Sequence, residues 1–193
     1  WACWKTYLGR PGENWAHRCA ISLLGSGLGS SGHHEDALAV READLATRQR
    51  LGDTEHNILI AQTNLANSYS ALGHHEKALS MEREVYFGRL RLHGEEHVDS
   101  LMAALNYASS LSSLGRNEEA RLLLRRTLPV ARRVLGESHD FTCKLRQNYA
   151  VTLYRDSNAT LDDLCEAVET LEDTERIARR VLGDAQKHTR WIE

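Results

Sequence analysis

The chain has 193 residues, 41% hydrophobic and 26% charged, enough for one or two compact domains or for four to five repeat units. Its net charge of -3 comes without a clustered basic excess, which argues against nucleic acid as a partner, and no apolar run approaches membrane-spanning length. No signal-like segment is present. Four cysteines without a C-x-x-C pairing read as free, mostly buried thiols of a reducing compartment, so a cytoplasmic location is expected. A start at Trp1 rather than Met suggests a piece of something longer.

In chain order, Leu8-Gly9 reads as the end of a first helix, giving a partial element over 1–9. Next comes Leu23-Leu24-Gly25, followed by Gly32-His33-His34-Glu35. Shifted by 41 residues, these align without a gap on Asn64-Leu65-Ala66 and Gly73-His74-His75-Glu76. Gly25, Gly27 and Gly29 each weaken a helix by up to about 1 kcal/mol relative to Ala, so this first copy is expected to be frayed or kinked.

The Asn-apolar-Ala step then recurs at Asn64, Asn106 and Asn148, always 42 residues apart. Gly52, Gly94 and Gly136 each precede these asparagines by 12 residues, and Ala78, Ala120 and Ala167 precede Gly94, Gly136 and Gly183 by 16. Two registers held over three units mark a solenoid of stacked helix pairs. Each unit reads as helix A (57–72, 99–114, 141–155), a tight turn, and helix B (75–92, 117–135, 161–182). The repeats span approximately 10–52, 53–94, 95–136 and 137–183, and 184–193 starts a further one at Thr189-Arg190-Trp191.

Helix B shows the helical period: Ala120, Leu123, Leu124, Thr127, Leu128, Ala131, Val134 and Leu135 form one stripe, with Arg125, Arg126, Arg132 and Arg133 toward water. A Gly at its end serves as a left-handed cap. Small residues at Ala66, Ala78, Ala108, Ala120 and Ala150 mark close helix crossings. The two prolines, Pro11 and Pro129, are candidates for loops. The last full unit has five extra residues between Asn148 and Ala167, placed in the turn near 155–161, and Thr160-x-x-Asp163 resembles a capping box.

Asn-Leu-Ala-x-x-Tyr-x-x-x-Gly-x-x-x-x-Ala, beginning at Asn64, is similar to the tetratricopeptide repeat. The longer period, with Leu-Gly-x-x-His before helix A, resembles the kinesin light chain branch of that family. His97-Val98-Asp99-Ser100 and His139-Asp140-Phe141-Thr142 match its His-Pro-x-Thr step without the Pro. The resemblance implies an all-α, right-handed α-solenoid, with helix A lining a concave face that takes peptides, and no catalysis.

By register, the groove positions are Asn64, Asn67 and Ala71; Met102, Leu105, Asn106, Ser109 and Ser113; and Lys144, Gln147, Asn148, Val151 and Arg155. An Asn amide both donates and accepts, so it can read a peptide group whatever side chain follows. The asparagines equally suit hydrogen bonds between neighbouring helices. Lys144 and Arg155, roughly 16 Å apart along one helix, suit either an acidic partner or plain solvation.

His33-His34-Glu35 and His74-His75-Glu76 sit in turns one repeat apart. Adjacent histidines point in different directions on a helix and no further ligand is implied, so no metal is expected. His34 and His75 fill a packing slot, and His56, His97, His139 and His188 read as capping or packing residues. Gly25-Ser26-Gly27-Leu28-Gly29-Ser30 lacks the Lys-Ser/Thr of a phosphate loop. The expectation is therefore a non-enzymatic adaptor, similar to a kinesin light chain, that binds protein or peptide partners. It takes no cofactor, small-molecule substrate, nucleic acid or membrane. The rival readings are a regulatory or sensor region of a larger nucleotide-binding (NB-ARC-type) signalling ATPase, and a structural spacer without a groove ligand.

Overall fold

The computed structural model describes residues 15–182, which form eight helices and no strand. These are α1 (Trp15–Ser30), α2 (His34–Arg50), α3 (Glu55–Ala71), α4 (His75–His93), α5 (Val98–Ser113), α6 (Asn117–Leu135), α7 (Asp140–Arg155) and α8 (Leu161–Leu182). Observed boundaries fall within two residues of those read from the period. The chain divides into two compact units, 1–92 and 93–193. The first holds α1–α4 and the second α5–α8, each as two antiparallel helix pairs. Cys3, Pro11, the Leu8-Gly9 helix end, His188 and the further repeat over 184–193 lie outside the described residues.

Two series of glycines punctuate the pairs. Gly32, Gly73 and Gly115 turn helix A into helix B, and Gly52, Gly94 and Gly136 follow helix B, all with φ between 65° and 94°. A side chain is disfavoured in that region, so the turn positions require glycine. Each helix A is then restarted by a side-chain cap. The Thr54 hydroxyl accepts from the Asn57 N–H at 3.3 Å. His97 Nδ1 accepts from the Asp99 N–H and His139 Nδ1 from the Phe141 N–H, each at 3.1 Å. His56 lies inside α3 instead, its Nδ1 2.8 Å from Arg89 Nη1.

Three expectations are corrected. The first copy is one continuous helix over Trp15–Ser30, α1, rather than a frayed one. Gly25 is buried there, where an added Cβ would stand 3.3 Å from the Arg41 side chain, so close packing on α2 compensates for its poor propensity. Pro129 lies inside α6, not in a loop. It is exposed, so water can serve the Arg125 carbonyl that loses its N–H partner. The thiols are less buried than expected: Cys19 and Cys143 are half-buried and Cys165 is exposed.

The core is the predicted stripe of small and branched side chains. Ala66, Ala78, Ala108, Ala120 and Ala150 are all at most 1% exposed, as close helix crossings require. Leu124, Leu128 and Ala131 are buried in α6, whereas Val134 at its end is exposed.

Polar ties join successive pairs within each unit. Arg41 Nη1 donates to the Asn64 carbonyl at 2.9 Å and to Ser68 Oγ at 2.5 Å, and the Tyr69 hydroxyl donates to Glu42. Arg48 is buried between Asp44 and Asp53, an ion pair that removing one partner would leave uncompensated. In the second unit Asn117 Nδ2 donates to the Arg155 carbonyl and Arg121 to Asp163. The added turn residues lead into a reciprocal cap: the Asp163 N–H donates to Thr160 Oγ1 at 3.1 Å, and the Thr160 N–H to Asp163 Oδ2 at 2.9 Å. That is the capping box read from the sequence.

Candidate functional site: the helix A faces

In the second unit, α5 and α7 are successive helices A. The register residues Met102, Leu105, Asn106, Ser109 and Ser113 fall on one stripe of α5, and Lys144, Gln147, Asn148, Val151 and Arg155 on one stripe of α7. None is buried, and Met102 is 49% exposed. Asn148 Nδ2 donates to Ser109 Oγ at 3.0 Å, which joins the two stripes and uses one of the amide's hydrogen-bonding groups. Asn106 is half-buried on the same face.

The two basic residues do not form a preset clamp. Lys144 Nζ is 2.6 Å from Asp140 Oδ2 on its own helix. The Arg155 guanidinium lies 5.9 Å from the centroid of the Tyr154 ring. Both are exposed and both are held by neighbours in sequence.

In the first unit, α3 presents Asn64, half-buried, with Asn67 and Ala71 exposed. The Asn64 carbonyl is taken by Arg41, so its backbone anchors the helix while its amide side chain occupies the stripe. The turn histidines bind locally: His33 Nδ1 is 3.9 Å from Asp36 Oδ2, and His74 packs edge-on to Tyr69 with centroids 6.2 Å apart. His34 and His75 are half-buried.

Three features were not read from the sequence. Glu82 is 2% exposed with Oε2 unpartnered, and burial pushes its carboxyl up to about 8. Its register equivalent in α6 is Leu124, and that break of pattern was the available signal. Burial also pushes the Tyr149 hydroxyl up to about 12, reinforced by its bond to Glu166. Lastly, a depression of about 530 Å³ lies between α3 and α4, lined by Ile58, Leu59, Phe87 and Gly88 with Arg83 and Arg91 at its rim. Gly88 stands where the next repeat has Val130, and a Cβ there would come 2.7 Å from a Leu59 methyl.

Residues 58–99 and 100–140 each match the sequence profile of the tetratricopeptide repeat. The chain carries two tetratricopeptide repeats there. Its repeats make it a scaffold for protein interaction, of a fold that is typically non-enzymatic.

Among solved structures, the chain resembles a putative kinesin light chain from Podosopora anserina with nearly identical TPR-like repeats. The likeness has a TM-score of 0.75 at 20% identity and covers 89% of this chain and 79% of that one. A second structure of that kinesin light chain gives a TM-score of 0.72 at 20% identity, covering 88% and 78%. BtubC (BKLC) from P. vanneervenii gives 0.75 at 18% identity, covering 89% and 67%. At such identities the likeness shows the fold, an all-α solenoid of the kinesin light chain-like type. None of the curated proteins matches the chain in sequence. No helix among the described residues is long and apolar enough to cross a membrane.

Proposed function

We propose that this tetratricopeptide repeat chain is an adaptor, similar to a kinesin light chain, that binds an extended or helical peptide of a partner protein against its helix A faces. The observation that carries this is the α5–α7 face of the second unit. There an exposed Met102, the half-exposed Leu105 and Val151, and the amides of Asn106, Gln147 and Asn148 lie on adjacent helices and one side. Apolar contacts would supply affinity there, and amides that both donate and accept would hold a peptide backbone in register.

The amides divide by role. Asn148 ties α7 to α5 through Ser109, so it is partly structural, whereas Asn106 is the better reporter of peptide contact. Twelve-residue peptide libraries displayed on phage would be selected on the 193-residue chain, and the binders titrated against Asn106→Ala and Met102→Ala. We expect either change to weaken binding about ten-fold or more with helicity unchanged. Binders indifferent to both changes would leave the face a spacer surface. Asn148→Ala is expected to lower stability by about 1 kcal/mol as well, through loss of the Ser109 bond.

A further inference from the structure

The junction between α6 and α7 carries an excess of positive charge. Arg146, on α7, has only 8% of its side chain exposed, and its Nε and Nη1 are buried without a hydrogen-bond partner. Arg132, in the last turn of α6, is half-buried, and its Nε also lacks a hydrogen bond. One carboxylate stands between the two guanidinium groups. Glu137 Oε1 lies 3.3 Å from Arg132 Nε, and Glu137 Oε2 lies 3.5 Å from Arg146 Nη1. Both separations exceed the about 2.7–2.9 Å of a charge-assisted hydrogen bond, and neither pair has hydrogen-bond geometry. The other carboxylate of this turn, Asp140, is held by Lys144 at 2.6 Å.

The corresponding slot of the first unit is filled differently. Counted from the glycine that follows helix B, Gly52 or Gly136, Arg132 corresponds to Arg48 and Glu137 to Asp53. Arg48 is a single buried cation between two carboxylates, Asp44 at 2.9 Å and Asp53 at 3.6 Å. In the second unit Leu128 stands in place of Asp44, and Arg146 stands where α3 has Gln62. An acid is lost and a base is gained, so two cations share one monoanion. A buried guanidinium without its hydrogen bonds is costly, and a further anion would relieve that cost.

We propose that this junction binds a phosphate group, and that Glu137 holds the place of that group. A phosphate dianion matches two guanidinium groups in charge and offers three acceptor oxygens against a carboxylate's two. The approach is open: the side chains of Glu137 and Arg132 are 56% and 39% exposed, and Arg146 forms the buried floor. Glu137 lies in the turn directly after Gly136, so its carboxylate can swing into water and leave both cations to the phosphate. The peptide face is not involved, because Arg146 is buried off the stripe of Lys144, Gln147 and Asn148.

Titration of the 193-residue chain with inorganic phosphate and with O-phosphoserine, followed by phosphorus NMR, tests this. Saturable broadening is expected at about pH 8, where both probes are mostly dianionic. The tighter-binding probe identifies the ligand as free phosphate or as a phosphomonoester. Glu137→Gln should bind about ten-fold more tightly, because the competing carboxylate is gone. Arg132→Gln should lose binding with its helicity kept. The inference fails if neither probe saturates. It also fails if Glu137→Gln binds no more tightly than the wild type, which would make Glu137 a permanent counter-ion. Unchanged binding by Arg132→Gln would place the phosphate elsewhere and overturn it as well.

Discussion

His97 and His139 cap α5 and α7 by accepting a backbone N–H at Nδ1, a task that a hydroxyl performs at Thr54. The first N–H groups of a helix have no partner inside it, so losing such a cap costs about 1 kcal/mol. His139→Ala should therefore lower stability by about that amount in chemical denaturation, and His139→Ser should restore it. Glu82 acts in the opposite sense. Its buried carboxyl holds its proton to about pH 8, against an ordinary value of 4.5. Below pH 4.5 both folded and unfolded chains are protonated there and nothing is lost. As pH rises from 4.5 toward 8 only the unfolded chain releases the proton, so stability falls, and above 8 it levels off. Glu82→Leu, the residue found at the equivalent Leu124, should raise stability at pH 7 by on the order of a few kcal/mol. The gain should shrink toward pH 4, as read from urea melts of both proteins across pH.

At the scale of the helix pair, α3 and α4 meet where Gly88 leaves room for Leu59. Gly88→Ala adds helix propensity worth about 1 kcal/mol but drives a methyl into a buried leucine, a clash of about 1–3 kcal/mol. A net loss of stability is expected. In a Leu59→Ala background the same change should become stabilising, and a double-mutant cycle by thermal melts measures that reversal. Another result at this scale concerns α1, a helix the glycines argued against. Propensity counts only local backbone cost, and packing of Gly25 against Arg41 outweighed it. Pro129 makes the same case from the other side: a helix with a buried apolar stripe tolerates one missing N–H on its wet face.

At the scale of the whole chain, what matters is that apolar positions keep their phase from repeat to repeat. The added residues between Arg155 and Leu161 leave α7 and α8 paired, because a turn can lengthen while the helices keep their faces. Two further residues, Gly-Ser, inserted after Ser157 should change the melting temperature by only a few degrees, since doubling a loop costs about 0.6 kcal/mol. One residue inserted after Ala108, inside α5, should rotate every later apolar position of that helix by roughly 100° and abolish cooperative melting by circular dichroism.

The period alone determined the helix pairs, their order and nearly all their ends, because 3.6-residue amphipathicity and left-handed glycines are local and recur in phase. Asn64, Asn106 and Asn148 could be placed on helix A faces for the same reason. Which of their atoms are free could not, since Asn148 finds Ser109 only once α7 lies beside α5. The buried carboxyl of Glu82 and the Leu59–Gly88 approach were likewise decided in three dimensions. Each depends on what a neighbouring helix covers, and coverage is a property of packing rather than of spacing along the chain.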